Sequence, residues 1–148
     1  MGIVMKKILA ILTLPLLLAA CSKSSTEQSS ITAEDLQHHN WTLVKVNDEP
    51  FVAANNMHAP NLEIGEGLMA NGNAGCNNFF GQSELKDNQF RIEKMGMTMK
   101  MCVGNAMNTE RLFAESISDW SDIALTDKQL ILKGKSNTLV FELADWKQ

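Results

Sequence analysis

The chain has 148 residues, of which 45% are hydrophobic and 20% are charged, and its formal net charge is −4. Removing residues 1–20, which carry two lysines and no acidic residue, changes that charge from −4 to −6. Nucleic-acid-binding domains present a basic surface, so the acidic balance excludes nucleic acid as an expected partner and argues against peripheral binding to anionic lipid. About 117 residues remain after the N-terminal segments, which is the size of one domain.

The first 20 residues have the pattern of a bacterial lipoprotein signal. Lys6 and Lys7 precede a mainly apolar run of 11 residues that ends at Leu18. Such a run is too short to span a membrane and is typical of a secretory signal. The chain then reads Leu-Ala-Ala-Cys up to Cys21. Small residues that lead directly into a cysteine predict a signal peptide over residues 1–20 and lipidation of Cys21.

The predicted location of the protein follows from this cysteine. A lipidated Cys21 is held at a membrane because each buried lipid methylene contributes about 0.8 kcal/mol. Bacterial sorting rules associate aspartate at the next position with the inner membrane, so Ser22 predicts the outer membrane, with the domain facing the periplasm. Residues 21–31 are then the lipidated cysteine and a flexible tether, and residues 32–148 form the domain. The alternative is an ordinary cleaved signal with a chance cysteine, and Met5 is a second candidate start.

Short strands and tight turns dominate the rest of the chain. Thr32 and the acids after it are typical of a helix N-terminus, and one longer helix is predicted over residues 109–117, where apolar residues recur at helical spacing. Asn71-Gly72 is predicted to form a turn, and Asp87-Asn88 is predicted to close a hairpin. Strands are predicted over residues 41–46, 62–64, 68–70, 79–85, 89–94, 123–125, 129–132 and 138–143. This pattern predicts a mainly β fold, a small antiparallel barrel-like sheet of seven or eight short strands with one packed α-helix.

Two cysteines, Cys76 and Cys102, remain once Cys21 carries lipid. An even pair in an oxidising compartment predicts a disulfide between them. The bond would close a loop of about 27 residues and stabilise the fold by about 3.5 kcal/mol on the chain-entropy estimate. Two buried free thiols are the alternative.

Three segments of the chain resemble the motifs of a known family. Residues 71–81 read NGNAGCNNFFG, residues 97–102 read MTMKMC, and residues 110–113 read ERLF. They resemble, in order and spacing, the G-x-x-G-C-N-x-F-x-G signature, the threonine-methionine-cysteine element and the E-x-x-F helix of the META domain. The resemblance extends over residues 36–146. The residues that carry it are Gly72, Gly75, Cys76, Asn77, Phe79, Gly81, Thr98, Met99, Cys102, Glu110 and Phe113.

The resemblance implies a mainly β barrel-like fold with one packed helix. It also implies a stress-linked role in the bacterial envelope, including tolerance of novobiocin-type antibiotics. Residues 36–39 (LQHH) and 143–145 (LAD) are similar to those of heat shock lipoproteins within the family. The family has no established catalytic activity, so it implies no catalytic residue and no cofactor. The chain also has no H-E-x-x-H, G-x-S-x-G or phosphate-loop motif, and we predict that it is not an enzyme.

The residues of the first motif have a structural interpretation and a binding interpretation. Its glycines suit positive φ or close chain approach, and Asn77 suits a turn in which its side chain bonds local backbone groups. Phe79 and Phe80 point to opposite faces of a strand, so one is expected in the core and the other partly exposed. The structural interpretation, which we favour, is that the motif builds a corner of the barrel and fixes Cys76. The alternative is a polar ligand pocket formed by Asn71, Asn73, Asn77 and Asn78.

A run of methionines suggests a different function. Met95, Met97, Met99 and Met101 recur at every second residue, which would place all four on one face of an extended strand. Thioethers favour Cu(I), so the second hypothesis is a periplasmic Cu(I) or redox buffer. The structural alternative is that these methionines fill irregular core space. The first hypothesis remains a non-catalytic envelope protein that binds a protein or, if the barrel is hollow, an apolar ligand.

Overall fold

The structure is a computed structural model that describes residues 30–54 and 57–145. The predicted signal peptide, the lipidation site Cys21 and most of the tether lie outside the described residues. Within them, no helix combines the length and the apolar character needed to cross a membrane. The described elements are the strands β1 (His39–Val46), β2 (Glu49–Pro50), β3 (Asn61–Ile64), β4 (Met69–Asn73), β5 (Asn78–Lys86), β6 (Gln89–Met97), β7 (Ser121–Leu125), β8 (Gln129–Lys133) and β9 (Thr138–Leu143), the helices α1 (Ala33–Leu36) and α2 (Ala106–Ser118), and a 3-10 turn at Glu66–Leu68.

The strands form one antiparallel sheet that closes on itself. Each strand from β3 to β9 pairs with the next, and β1 pairs with both β3 and β9. Trp41 of β1 therefore lies between Leu62 of β3 and Leu143 of β9. This arrangement confirms the predicted mainly β, barrel-like fold with one packed helix. The described residues contain nine strands rather than seven or eight, because Glu49 and Pro50, for which the sequence predicts a turn, pair with β1 as the short β2.

The interior of the ring is filled by side chains. Trp41, Phe79 and Phe90 are buried inward-facing residues of three different strands. Phe113 of α2 is also fully buried, and its ring centroid lies 5.5 Å from that of Phe79 and 6.1 Å from that of Phe141. Fully burying an aromatic or large aliphatic side chain contributes about 1.5–3 kcal/mol, so this cluster is the main source of stability. An apolar ligand inside the barrel would have to displace these residues.

Helix α2 packs beside a weak point of the ring. The ladder between β6 and β7 is limited to Gln89 and Phe90, and α2 packs against β6. The apolar residues expected on one face of this helix behave as predicted, since Phe113 and Ile117 are buried and Leu112 packs against the core from a partly buried position. The helix begins at Ala106, three residues before the predicted start.

Gly72 corrects one turn prediction. The turn predicted at Asn71-Gly72 is wrong, because both residues lie inside β4. Gly72 pairs with Leu62 on one side and with Phe79 on the other. A β-carbon at this position would lie 2.9 Å from the carbonyl carbon of Asn61 and closer still to its oxygen. The glycine is therefore required for the close approach of β3 and β4, and not for a turn.

We expect Gly72→Ala to lower the free energy of unfolding by about 2 kcal/mol, since forcing an extra methyl group into a packed site costs about 1–3 kcal/mol. Urea unfolding followed by tryptophan fluorescence would measure the loss. Gly65→Ala is the matched control, because the nearest atom to a β-carbon there is the Met69 carbonyl oxygen at 3.5 Å, an ordinary contact. Equal losses in the two variants would contradict the steric explanation.

Candidate functional site

The three motif segments meet around Asn77, which lies between β4 and β5 and is 2% exposed. Its side-chain oxygen accepts hydrogen bonds from the Thr98 hydroxyl at 2.8 Å and from the Lys100 backbone N–H at 2.6 Å. Its side-chain nitrogen donates to the Lys100 carbonyl oxygen at 3.0 Å. The amide therefore binds both backbone groups of Lys100, as the backbone of a neighbouring strand would. All its hydrogen-bonding capacity is used by the protein itself.

Glu110 connects the same asparagine to α2. Its Oε2 accepts a hydrogen bond from the Asn77 backbone N–H at 2.6 Å, and its Oε1 accepts one from the Asn77 side-chain nitrogen at 3.2 Å. Hydrogen bonds to a charged acceptor contribute about 1.5–3 kcal/mol, more than neutral ones. Glu110 is partly buried in the first turns of the helix. The carboxylate therefore holds α2 against the loop that precedes β5.

A disulfide joins Cys76 to Cys102 beside this network, with 6.0 Å between the two Cα atoms. This is the pair expected from the sequence. Cys76 is buried at 3% exposure and immediately precedes Asn77. The segment between β6 and α2 is therefore held twice, by a covalent bond at Cys102 and by hydrogen bonds at Lys100. We call residues 98–105 the motif loop.

The motif glycines are required for two different reasons. Gly75 has a backbone φ of +113°, a region that residues other than glycine rarely adopt. A β-carbon on Gly81 would lie 2.6 Å from the Ile92 Cγ2 atom, so this glycine serves close packing between β5 and β6. Both roles agree with the two predicted from the sequence. The expected alternation of the phenylalanines is also confirmed, with Phe79 at 2% and Phe80 at 61% exposure.

The asparagines do not line one pocket. Asn77 is buried, whereas Asn71 and Asn78 are exposed on the outer face of the sheet. The Asn73 side chain donates to Asn78 Oδ1 at 2.9 Å and accepts the Gly75 N–H at 2.8 Å, which shapes the turn before β5. The contacts support the interpretation in which the motif builds a corner of the barrel.

The predicted methionine stripe is divided. Strand β6 ends at Met97, so the prediction that four methionines share one strand face is wrong. Met95 and Met97 are partly buried and pack against the core. Met99 and Met101 lie in the motif loop at 99% and 93% exposure. The division follows from Thr98, whose hydroxyl bonds Asn77 and whose N–H donates to the Asn78 carbonyl oxygen at 3.0 Å.

The Cu(I) hypothesis loses its expected geometry as a result. Its thioethers are split between the core and the solvent, and Cys102 is consumed by the disulfide. Among the residues that the structure describes, no group of three or more histidine, cysteine, aspartate and glutamate side chains is arranged to hold a metal ion.

A second set of contacts joins the two ends of the domain. The Asn40 backbone N–H donates to Asp145 Oδ1 at 2.8 Å, and His39 Nδ1 lies 2.6 Å from Asp145 Oδ2. The Ala144 N–H donates to the Asn40 carbonyl oxygen at 2.7 Å. These residues belong to or adjoin residues 36–39 and 143–145, the two terminal segments that resemble heat shock lipoproteins. Partial burial raises the pKa of Asp145, but the hydrogen bonds from Asn40 and His39 outweigh it and hold that pKa below its usual value.

We expect Asp145 to contribute to stability in a pH-dependent way. Its pKa is lower in the folded state than the ordinary value of 3.8, so the contribution is present above that pH and is lost as pH falls through the folded-state pKa. The free energy of unfolding of Asp145→Asn should therefore be lower than that of the wild type near neutral pH and should converge with it in acid, where the wild-type carboxyl is also neutral. Urea titrations over an acidic pH series would measure the difference. A difference that persists unchanged in acid would contradict this origin.

Comparison with known proteins identifies the family to which these contacts belong. The model of the META domain family matches residues 34–146 of the chain. The chain is also 33% identical, over 142 residues, to Heat shock protein HslJ of Escherichia coli (strain K12). That match covers 95% of this chain and 98% of the relative.

Solved structures share the same fold. One NMR structure is 31% identical and has a TM-score of 0.66, and the match covers 78% of this chain and 97% of that chain. An NMR structure of a protein from Burkholderia xenovorans is 19% identical, has a TM-score of 0.63 and covers 77% of this chain and 87% of that chain, which shows likeness of fold alone. Because the family model spans all three motif segments and most of the chain, the chain belongs to the META domain family.

Proposed function

We propose that the chain is a non-catalytic outer-membrane lipoprotein that supports the cell envelope during heat stress and contributes to tolerance of novobiocin-type antibiotics. The observation that carries the proposal is the 33% identity to Heat shock protein HslJ, which extends over nearly the whole length of both chains. A match of this extent includes the motif cluster, the terminal contacts and the segment that contains Cys21.

The chemistry of the motif cluster supports a non-catalytic role. The polar atoms of Asn77 are bonded to Thr98, Lys100 and Glu110, and the motif cysteines are bonded to each other. A catalytic constellation keeps groups free to meet a substrate. These residues instead connect three segments of one domain. The filled barrel interior also favours a partner that binds the outer surface over an apolar ligand inside the barrel.

The N-terminal sequence supports the location. Cys21 follows Leu-Ala-Ala, and Ser22 succeeds it in place of the aspartate associated with inner-membrane retention. Labelling cells with palmitate tests the anchor directly, and we expect label in the wild type and none in Cys21→Ala. A wild type that takes up no palmitate would overturn the lipid anchor. If Cys21→Ala stays in the membrane with an uncleaved signal, a variant with an exchanged secretory signal should release a folded domain into the periplasm.

Growth of a deletion strain tests the role. We expect the strain to grow less well than the wild type at high temperature and on novobiocin, and to recover when the wild-type chain is supplied on a plasmid. Cys21→Ala, fused to the exchanged signal, separates the domain from its anchor in the same assay. Sensitivity to copper alone would instead favour the Cu(I) buffer. Crosslinking in intact cells, followed by capture of the chain, would then identify the surface partner.

A further inference from the structure

Two methionines of the motif loop are presented almost entirely to solvent. Met99 is 99% exposed and Met101 is 93% exposed. Met95 and Met97, only a few residues earlier, are partly buried and pack against the core. Four methionines within seven residues of the chain therefore have two very different environments, and the boundary between them is the end of β6.

The scaffold explains why both side chains stay exposed. Lys100, between them, has both of its backbone groups bonded to the side chain of Asn77. Cys102, directly after Met101, is fixed by the disulfide to Cys76. The backbone that carries the two thioethers is thus anchored to the buried cluster, so their exposure does not require the domain to open.

We propose that Met99 and Met101 form an oxidation site that reacts with hypohalous acids while the domain remains folded. The thioether sulfur attacks the chlorine of hypochlorous acid, the oxygen–chlorine bond breaks, and hydroxide leaves. Water then adds to the chlorosulfonium sulfur and chloride is expelled. In sum, one thioether and one hypochlorous acid give one sulfoxide, one chloride and one proton. Sulfur loses two electrons and chlorine gains them.

The position of the site determines what oxidation does to the protein. A sulfoxide is polar and disrupts a core when the methionine is buried. At Met99 and Met101 the new oxygen points into water, so the buried contacts of the domain are unchanged. The surface of the motif loop changes instead, from apolar to polar. Methionine sulfoxide reductases reverse the reaction, so the site is renewable. This inference does not depend on the lipid anchor or on the stress role proposed above.

The test uses the mature full-length protein and hypochlorous acid in limiting amounts. After oxidation the disulfide is reduced, and tryptic cleavage after Lys94, Lys100 and Arg111 then places Met95, Met97 and Met99 in one peptide, and Met101 and Met107 in the next. Fragment-ion mass spectrometry then assigns each added oxygen within a peptide. We expect Met99 to be oxidised before Met95 and Met97, and Met101 before Met107, which is 39% exposed. The melting temperature should stay unchanged after the first two oxygen atoms are added.

Two further measurements make the test decisive. In urea-unfolded protein the preference within each peptide should disappear, because the fold no longer protects any thioether. In the variant Met99→Leu/Met101→Leu, the early uptake of two oxygen atoms should be lost while the melting temperature is kept. Any of three results would overturn the proposal. Met95 or Met97 could be oxidised in the folded protein as fast as Met99, or the preference within a peptide could persist in urea. The third result is loss of the fold after the first two oxygen atoms are added. If methionine sulfoxide reductases, added together, fail to remove the added oxygen, the proposed reversibility of the oxidation is overturned.

Discussion

Replacing Asn77 by leucine is expected to lower the free energy of unfolding by about 3–5 kcal/mol. The substitution keeps the size of the side chain but removes partners from the Lys100 N–H, the Lys100 carbonyl and one oxygen of Glu110. Leaving a buried polar group unsatisfied costs about 1–3 kcal/mol, and more for a charged group. Urea unfolding of the oxidised protein would measure the loss. A destabilisation below about 1 kcal/mol would show that the cluster does not stabilise the domain.

Two control variants separate this explanation from a general sensitivity of the turn. Asn78→Leu changes the next residue, whose side chain is exposed and bonds Asn73, so the expected loss is below about 1 kcal/mol. Asn77→Asp keeps the size and the acceptor oxygen but places a second carboxylate against Glu110. It is expected to be at least as destabilising as leucine at neutral pH, because like charges at this distance repel. An aspartate variant with wild-type stability would argue against the donor role of the Asn77 side chain.

Removing the disulfide is the second large effect. The double variant Cys76→Ala/Cys102→Ala should lose about 3.5 kcal/mol, since the bond closes a loop of about 27 residues and restricts the unfolded chain. The loss should appear in urea unfolding, and reduced wild-type protein should behave like the variant. A less compact unfolded state should also steepen the dependence on urea. Equal stability of the oxidised and reduced wild type would contradict the prediction, as would finding both thiols free to alkylate in unfolded, unreduced protein.

The two perturbations are expected to be coupled. Cys76 and Asn77 are adjacent, and Cys102 and Lys100 lie on the same loop, so each restraint positions the groups that the other holds. Residues in one network commonly show interaction energies of about 0.5–3 kcal/mol. Combining Asn77→Leu with the double cysteine variant should therefore cost less than the sum of the separate losses.

The sequence predicts the elements of the fold correctly where the deciding residues are close together in the chain. The alternation of apolar and polar residues from residue 41 predicts β1, and Trp41 and Leu43 are buried at alternate positions of that strand. The turn at Asp87-Asn88 predicts the hairpin of β5 and β6, and both residues do adopt positive φ. Helical spacing predicts α2. Each of these features is decided by residues within one element or turn.

Other features depend on residues far apart in the chain. The sequence predicts that the Asn77 side chain bonds nearby backbone in a turn, yet its partners Lys100 and Glu110 lie 23 and 33 residues away. Asn77 binds the backbone of Lys100, and a backbone hydrogen bond does not depend on which side chain residue 100 has. The sequence therefore could not predict this contact. Gly72 looked like a turn residue because Asn-Gly pairs often are, and only the position of Asn61 on the neighbouring strand shows why glycine is needed there.

The two ends of strand β6 mark opposite ends of the domain. The described chain enters beside the turn that precedes this strand, where the Ile31 N–H donates to Asn88 Oδ1 at 3.3 Å. The motif loop leaves from the other end of the same nine-residue strand, about 27 Å away at the usual rise per residue. The described chain therefore begins at one end of β6. The disulfide and the two exposed methionines lie at the opposite end of that strand, so the buried motif cluster and the solvent-exposed thioethers share the end of the domain farther from residue 30.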